Sequence, residues 1–247
     1  MNKLVSLLLA GLFVCGSGVA RDVTSFNTGW QFKKGPFSAD AMKAASQWEG
    51  KWETVEIPHT WNARDMQVRY NNFYEGVGYY RKLFCPGDLK DKRVFLRFEG
   101  VGACSEVYVN GRLAGTHKGG YSAFVVEIGP SLKPGSDNEI VVKADNQSRP
   151  DVIPVNHVLF GVYGGIYRPV WLVVTGKSSI AVNDCASTGV YITQKNVSKR
   201  SADIAVKVKL DNAALHPVPV VLENTIYTQE GRKVASQKQN IELTPHG

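Results

Sequence analysis

The sequence predicts an all-β protein, a sandwich or barrel with non-sequential strand pairing. Three observations carry that prediction. Apolar and polar residues alternate over short segments, turn-forming clusters separate those segments, and no helical repeat intervenes. A chain of 247 residues, 43% hydrophobic and 21% charged, has the composition of a globular protein. It is long enough for one large domain or two modest ones with a buried core.

The elements follow in order. Val94, Leu96 and Phe98 alternate with Phe95, Arg97 and Glu99, the period of a strand with one face in the core. Val107 and Val109 run into Asn110-Gly111, a strong hairpin signal because both central residues of a type I′ turn need positive φ; Leu113 and Ala114 begin the return strand. Phe124–Ile128, Ile140–Ala144 and Val170–Val174 are further strands. Gly129-Pro130, Pro134–Asn138 and Gly161–Gly165 supply the turns between them. Ala39–Trp48 alone has weak helical character. Composition shifts near Thr175-Gly176-Lys177, after which Gly189–Thr193, Ala202–Leu210 and Val218–Tyr227 alternate as strands with an exposed face. Glu230-Gly231 turns the chain into Lys233–Ser236. From Ser178 onward there are about 70 residues. An immunoglobulin-like sandwich takes about 100, so the second unit reads as incomplete.

Residues 1–20 read as a secretory signal. Lys3 gives a positive start, Leu4–Val14 an apolar run too short to span a bilayer, and Gly18 and Ala20 a small-residue cleavage site. The expected location is periplasmic or extracellular. Lipid attachment at Cys15 is an alternative, although Val14 stands where such sites want Gly, Ala or Ser. The formal charge is +7, but the basic residues are scattered in runs no longer than pairs such as Lys199-Arg200. With no recognition helix this argues against a nucleic-acid partner. Past the leader stand Cys85, Cys104 and Cys185, neither a disulfide framework nor a zinc motif. They read as buried free thiols on strands, with one bridged pair as the alternative.

Five segments, in order over about 150 residues, resemble the amino-terminal region of family 2 glycoside hydrolases, the group of β-galactosidases, β-glucuronidases and β-mannosidases. They are Val55–Asn62 (VEIPHTWN), Gly76–Phe84 (GVGYYRKLF), Val94–Gly111 (VFLRFEGVGACSEVYVNG), Gly119–Phe124 (GGYSAF) and Gly161–Trp171 (GVYGGIYRPVW). The resemblance implies a jelly-roll-like sugar-binding domain over 21–177. Residues 178–247 would be part of the immunoglobulin-like β-sandwich that follows it in the family. It also implies that the chemistry belongs to a (β/α)8 barrel not contained in these residues. That chemistry is retaining hydrolysis by two carboxylates about 5–5.5 Å apart. Glu75, Glu99, Glu106 and Glu127 are not expected to substitute for that pair. No catalytic residue, metal site or cofactor is expected in the chain; its partners would be a β-glycoside and the barrel of the same polypeptide.

The loop Arg69–Tyr79 (RYNNFYEGVGY) combines aromatic rings, which stack on sugar faces, with amides, which bond sugar hydroxyls. The resemblance makes Asn71 or Asn72 the candidate substrate contact, with Tyr74 beside them; interface filler is the competing role. Many β-galactosidases of the family place an aspartate just ahead of the Gly-Gly-Ile-Tyr-Arg motif. That slot here holds Leu159, which accepts no hydrogen bond. A shifted alignment would bring Asn156, His157 or Asp151 there instead. The implied substrate is therefore a β-glycoside of undetermined sugar. Gly164–Arg168 (GGIYR) reads as structural: the glycines allow close approach and Arg168 can make a forked contact. His59 reads as a loop anchor rather than a proton shuttle. Gly119-Gly120-Tyr121 lacks what a phosphate loop requires. Asn146-Gln-Ser148 and Asn196-Val-Ser198 fit glycosylation sequons. The sequence thus describes the non-catalytic front of an exported glycosidase, with a secreted carbohydrate-binding or adhesion module as the alternative.

Overall fold

The computed structural model describes residues 21–35, 51–65, 73–153 and 161–245. The leader, the Ala39–Trp48 helix and positions 71, 72, 156, 157 and 159 lie outside the described residues. Described strands divide between two compact units, one over Asp22–Val174 and one over Thr175 onward together with Arg21.

The amino-terminal unit is a sandwich of two antiparallel sheets. One contains β1 (Asp22–Ser25), β10 (Val170–Gly176), β5 (Lys92–Phe98) and β8 (Phe124–Glu127) in that order, β10 extending just past the unit. The other runs β3 (Glu53–Val55), β2 (Trp30–Lys34), β4 (Val77–Phe84), β9 (Asn138–Asp145), β6 (Cys104–Val109), β7 (Arg112–Lys118). Neighbours such as β4 and β9 are distant in sequence, giving the crossed-over, jelly-roll-like order expected of a sandwich.

The alternation read from sequence is what fills the core. Val94, Leu96 and Phe98 of β5 and Phe124 and Val126 of β8 meet Trp30 and Phe32 of β2, Tyr80 of β4, Ile140 and Val142 of β9, and Val107 and Val109 of β6. On the opposite registers Phe95, Tyr79 and Val141 are buried as well, while Arg93 grips Glu127 with two bonds of 2.8 and 2.7 Å. Asn110 and Gly111 hold φ of 52° and 76° and close the β6–β7 hairpin as the type I′ turn requires. The Asn110 side chain then donates to Ser131 O and to Asn138 Oδ1. Fully buried Asn138 in turn donates to Phe84 O, Lys133 O and Ser136 O. Its amide supplies the bonds that an irregular loop cannot supply to itself.

The carboxy-terminal unit contains three two-stranded ladders. They are β11 (Ser178–Ile180) with β14 (Leu210–Asn212), β12 (Val190–Lys195) with β13 (Asp203–Val208), and β15 (Val218–Tyr227) with β16 (Lys233–Leu243). Arg21 donates to Ile180 O and Ala181 O at 2.9 and 3.1 Å. Buried Asn212 donates to Thr244 O at 2.9 Å and accepts from Ser178 Oγ at 2.8 Å. One sequence expectation needs correction. The three cysteines are free, but Cys85 and Cys185 are exposed and Cys104 alone sits on a strand, half-buried. Cys85 comes just after β4 ends, and Cys185 occupies a turn with φ of 50°.

Candidate functional site

The candidate site is one end of the amino-terminal sandwich, where a knot of buried amides ties two loop roots together. Asn62 and Asn146 both have no exposed surface. Asn62 lies in the turn over residues 61–64, and Asn146 follows the end of β9. Asn62 Oδ1 accepts from Gly164 N at 2.8 Å, and its Nδ2 donates to Asp65 Oδ2 at 2.7 Å and Tyr74 O at 3.0 Å. Asn146 Oδ1 accepts from Gly76 N at 2.8 Å. Its Nδ2 lies 2.8 Å from Val162 O, 3.2 Å from Tyr74 O and 3.3 Å from Asn62 Oδ1. Two side chains therefore satisfy buried backbone groups of Tyr74, Gly76, Val162 and Gly164, four positions on two separate loops.

Trp61 and the paired glycines complete this end. A Cβ on Gly164 would lie 1.9 Å from the Trp61 ring, and one on Gly165 would lie 2.4 Å from Tyr80 Oη and 2.7 Å from His59 O. Gly165 also holds φ of 109°. The sequence motif is thus a close approach of backbone to indole and phenol. His59 is an anchor: its Nδ1 lies 2.7 Å from Tyr80 Oη, and its N donates to Ile166 O at 2.8 Å. Burial lowers the His59 pKa, so the ring is neutral at neutral pH. Among the described residues Arg168 makes no forked carboxylate contact; its guanidinium lies 5.7 Å from the Tyr167 ring centre. The Tyr167 hydroxyl donates to Gly120 O, and Gly120 N donates to Ile153 O at 2.9 Å, binding the Gly119–Tyr121 loop to the same end.

Of the candidate sugar contacts, Tyr74 is described. Its ring packs edge-on against Trp61 at 6.1 Å, and its hydroxyl donates to Val77 O at 3.1 Å. Burial raises its pKa. Asn71, Asn72, Asn156 and His157 belong to segments 66–72 and 154–160, which lie outside the described residues. The described residues bordering those segments are brought together: Phe73 and Tyr163 meet edge to face at 6.3 Å, and Asn146 bridges Tyr74 and Val162. Tyr121, Ile153 and Tyr163 are exposed.

The carboxylates are dispersed. Glu99 accepts from Arg97 and Trp171, both at 2.9 Å; Glu106 is held by Lys143 at 2.6 Å and by the Tyr108 hydroxyl; Glu127 is held by Arg93. Among the described residues no group of His, Cys, Asp or Glu could hold a metal ion. Asn146 and Asn62 are what sequence reasoning missed. Asn146 reads in sequence as a sequon, but its amide is buried and fully engaged, so it is no glycan acceptor in the folded chain. Asn196 of the other sequon is exposed, with Nδ2 2.6 Å from Asp203 Oδ2.

Residues 23–176 match the family model described as "Glycosyl hydrolases family 2, sugar binding domain". A β-glucuronidase of Bacteroides fragilis is 35% identical over 97% of this chain, which spans 33% of that relative. A β-galactosidase of Thermoanaerobacter pseudethanolicus is 33% identical over 76% of the chain and 24% of its own length. Among solved structures, a Bacteroides fragilis protein provisionally described as a β-galactosidase superposes with a TM-score of 0.86 at 73% identity. That match covers 93% of this chain and 34% of the other. Bacteroides uniformis β-glucuronidase 2, covalently bound to cyclophellitol-6-carboxylate aziridine, superposes with a TM-score of 0.85 at 30% identity. It covers 92% of this chain and 27% of the other. The chain thus spans about a quarter to a third of the length of these relatives.

Proposed function

We propose, on the premise that the chain belongs to family 2 of the glycosyl hydrolases, that it is the non-catalytic amino-terminal portion of an exported retaining β-glycosidase. The observation that carries this reading is the match of the whole amino-terminal sandwich to the sugar-binding domain of that family. Its relatives include both β-glucuronidases and β-galactosidases. The reaction would be performed by a paired nucleophile and acid/base in the remaining part of the polypeptide. Dispersal of Glu99, Glu106 and Glu127 into separate ion pairs supports keeping that chemistry outside this portion.

The amino-terminal sandwich would supply one wall of the sugar pocket. Asn71 or Asn72 would offer an amide to a sugar hydroxyl, and the Asn62–Asn146 knot would hold the segment's base in place. Tyr74 would act through its ring, since its hydroxyl is already bonded to Val77 O, its carbonyl to Asn62 and Asn146, and its N–H to Asp65. Leu159 offers no acceptor, which favours a β-glycoside other than a simple galactoside; Asn156 and His157 are the alternative polar groups nearby. Export through the residue 1–20 leader, with cleavage after Ala20, fits action on a glycan outside the cytoplasm. The immunoglobulin-like identity of the carboxy-terminal unit is part of the same reading.

Nitrophenyl β-D-glucuronide and β-D-galactoside test the proposal. The 247-residue chain should release no nitrophenol from either, while the polypeptide continued through the barrel should hydrolyse one with retention. Turnover by the 247-residue chain would overturn the assignment of chemistry to another part of the protein.

A further inference from the structure

Tyr74 is gripped at every polar atom. Its carbonyl accepts from Asn62 Nδ2 at 3.0 Å, Asn146 Nδ2 at 3.2 Å and Trp61 Nε1 at 3.3 Å. Its hydroxyl donates to Val77 O, and its ring lies so near Gly76 that a Cβ there would stand 2.6 Å from Tyr74 Cζ. The remaining polar group is the N–H of the peptide joining Phe73 to Tyr74. It donates to Asp65 Oδ2 at 3.1 Å.

Asp65 is aimed by its own turn. Its N–H donates to Asn62 O at 3.2 Å, and its Oδ2 accepts from Asn62 Nδ2 at 2.7 Å. Main chain and side chain of Asn62 therefore both orient Asp65, and the two bonds that its side chain accepts end on one oxygen. The peptide planes on either side of Tyr74 are thus fixed by side chains, one through the N–H and one through the C=O, at a place no strand ladder reaches. β4 begins only at Val77. Asn71 and Asn72 stand three and two residues ahead of Tyr74 in the sequence. A residue of chain spans up to about 3.6 Å, so anchoring at Tyr74 rather than at β4 shortens the tether of a side chain at 71 or 72 by about 10 Å.

We propose that Asp65 is a positioning residue for the glycosidase reaction: by holding the Tyr74 N–H it sets where the residues just ahead of Tyr74 meet the sugar. This rests on the proposed role of the amino-terminal sandwich as a wall of the sugar pocket. What counts is the place of one acceptor oxygen, since neither donor is charged and both meet the same atom. In Asp65→Asn an amide oxygen can stand where Oδ2 stands. Asp65→Glu keeps the charge but moves the oxygen by one methylene.

Steady-state kinetics of the polypeptide continued through the barrel, on the nitrophenyl β-D-glycoside it hydrolyses, test the proposal. Asp65→Asn should leave KM within about twofold of the parent. Asp65→Glu and Asp65→Ala should raise KM at least about tenfold, while kcat per titrated active site changes less than about threefold. A variant that merely folded less well would show the reverse, fewer active molecules at an unchanged KM. Hydrogen exchange at the Tyr74 amide needs no sugar. It should quicken at least about tenfold in Asp65→Glu and Asp65→Ala, but not in Asp65→Asn. An unchanged KM in Asp65→Glu, or Asp65→Asn as impaired as Asp65→Glu, would overturn the proposal. So would a Tyr74 amide that exchanges alike in the parent and in Asp65→Glu. A parent that turns over no aryl β-glycoside would sink the functional reading and this proposal with it, whereas turnover with KM unmoved by Asp65→Glu sinks the proposal alone.

Discussion

Replacing Asn146 with alanine tests whether the amide knot holds the candidate site together. Asn146→Ala leaves two buried backbone groups without their side-chain partner, the Gly76 N–H and the Val162 carbonyl, both bonded at 2.8 Å in the structure. Tyr74 O keeps its bond from Asn62. Each buried group left unsatisfied costs about 1–3 kcal/mol. Two such groups give about 2–6 kcal/mol, and a water entering the vacated space would hold the loss to the lower part of that range. For a unit of this size, about 2–4 kcal/mol corresponds to a fall of roughly 4–16 °C in Tm. All five tryptophans of the sequence lie between Trp30 and Trp171, so intrinsic fluorescence reports this unit's unfolding selectively. Urea titration followed by Trp emission gives the free energy directly. Gln147→Ala, at the adjacent exposed position, should stay within about 0.5 kcal/mol. Asn62→Ala combined with Asn146→Ala should depart from the sum of the two, because the side chains bond each other and are redundant donors to Tyr74 O. A loss below about 0.5 kcal/mol for Asn146→Ala, or strict additivity of the pair, would refute the knot.

Other consequences can be measured on the same chain. Gly164→Ala pushes a methyl into Trp61 and should destabilise by about 1–3 kcal/mol; adding Trp61→Leu should recover part of that loss, and unchanged stability of the single variant would contradict the close packing. His59 and His117 both have pKa values lowered mainly by burial, so the unfolded chain binds their protons more readily. Stability should hold above the ordinary histidine pKa of about 6.5 and fall as pH drops through it toward the depressed folded values. Melting curves from pH 7.5 down to pH 5 should show this, and His59→Gln should flatten the dependence; an unaltered slope would count against a buried neutral His59.

The strands of the sandwich were legible because their alternation is the physical requirement for burying one face. Val94–Phe98, Ile140–Ala144 and Val218–Tyr227 lie on strands at the expected places, and Asn110-Gly111 turns where two positive φ values were required. Short edge strands were not legible. All four residues of β1 (Asp22–Ser25) are exposed and β3 (Glu53–Val55) is three residues long, so neither has a period to read. The exposure of Cys85 and Cys185 was equally hidden, since thiol burial depends on where a strand stops.

Sequence by itself determined the fold class and the family, because both follow from local patterns: alternation, turn chemistry, and motifs such as Gly164–Arg168. Only the tertiary structure decided what those motifs are for. Asn62 and Asn146 are 84 residues apart and unremarkable in sequence, yet their Oδ1 and Nδ2 atoms lie 3.3 Å apart. Gly164 is glycine because Trp61 occupies the space a side chain would take. Satisfying buried backbone groups of irregular loops is a problem posed by the folded packing, and its solution comes from whichever side chain the packing brings within reach.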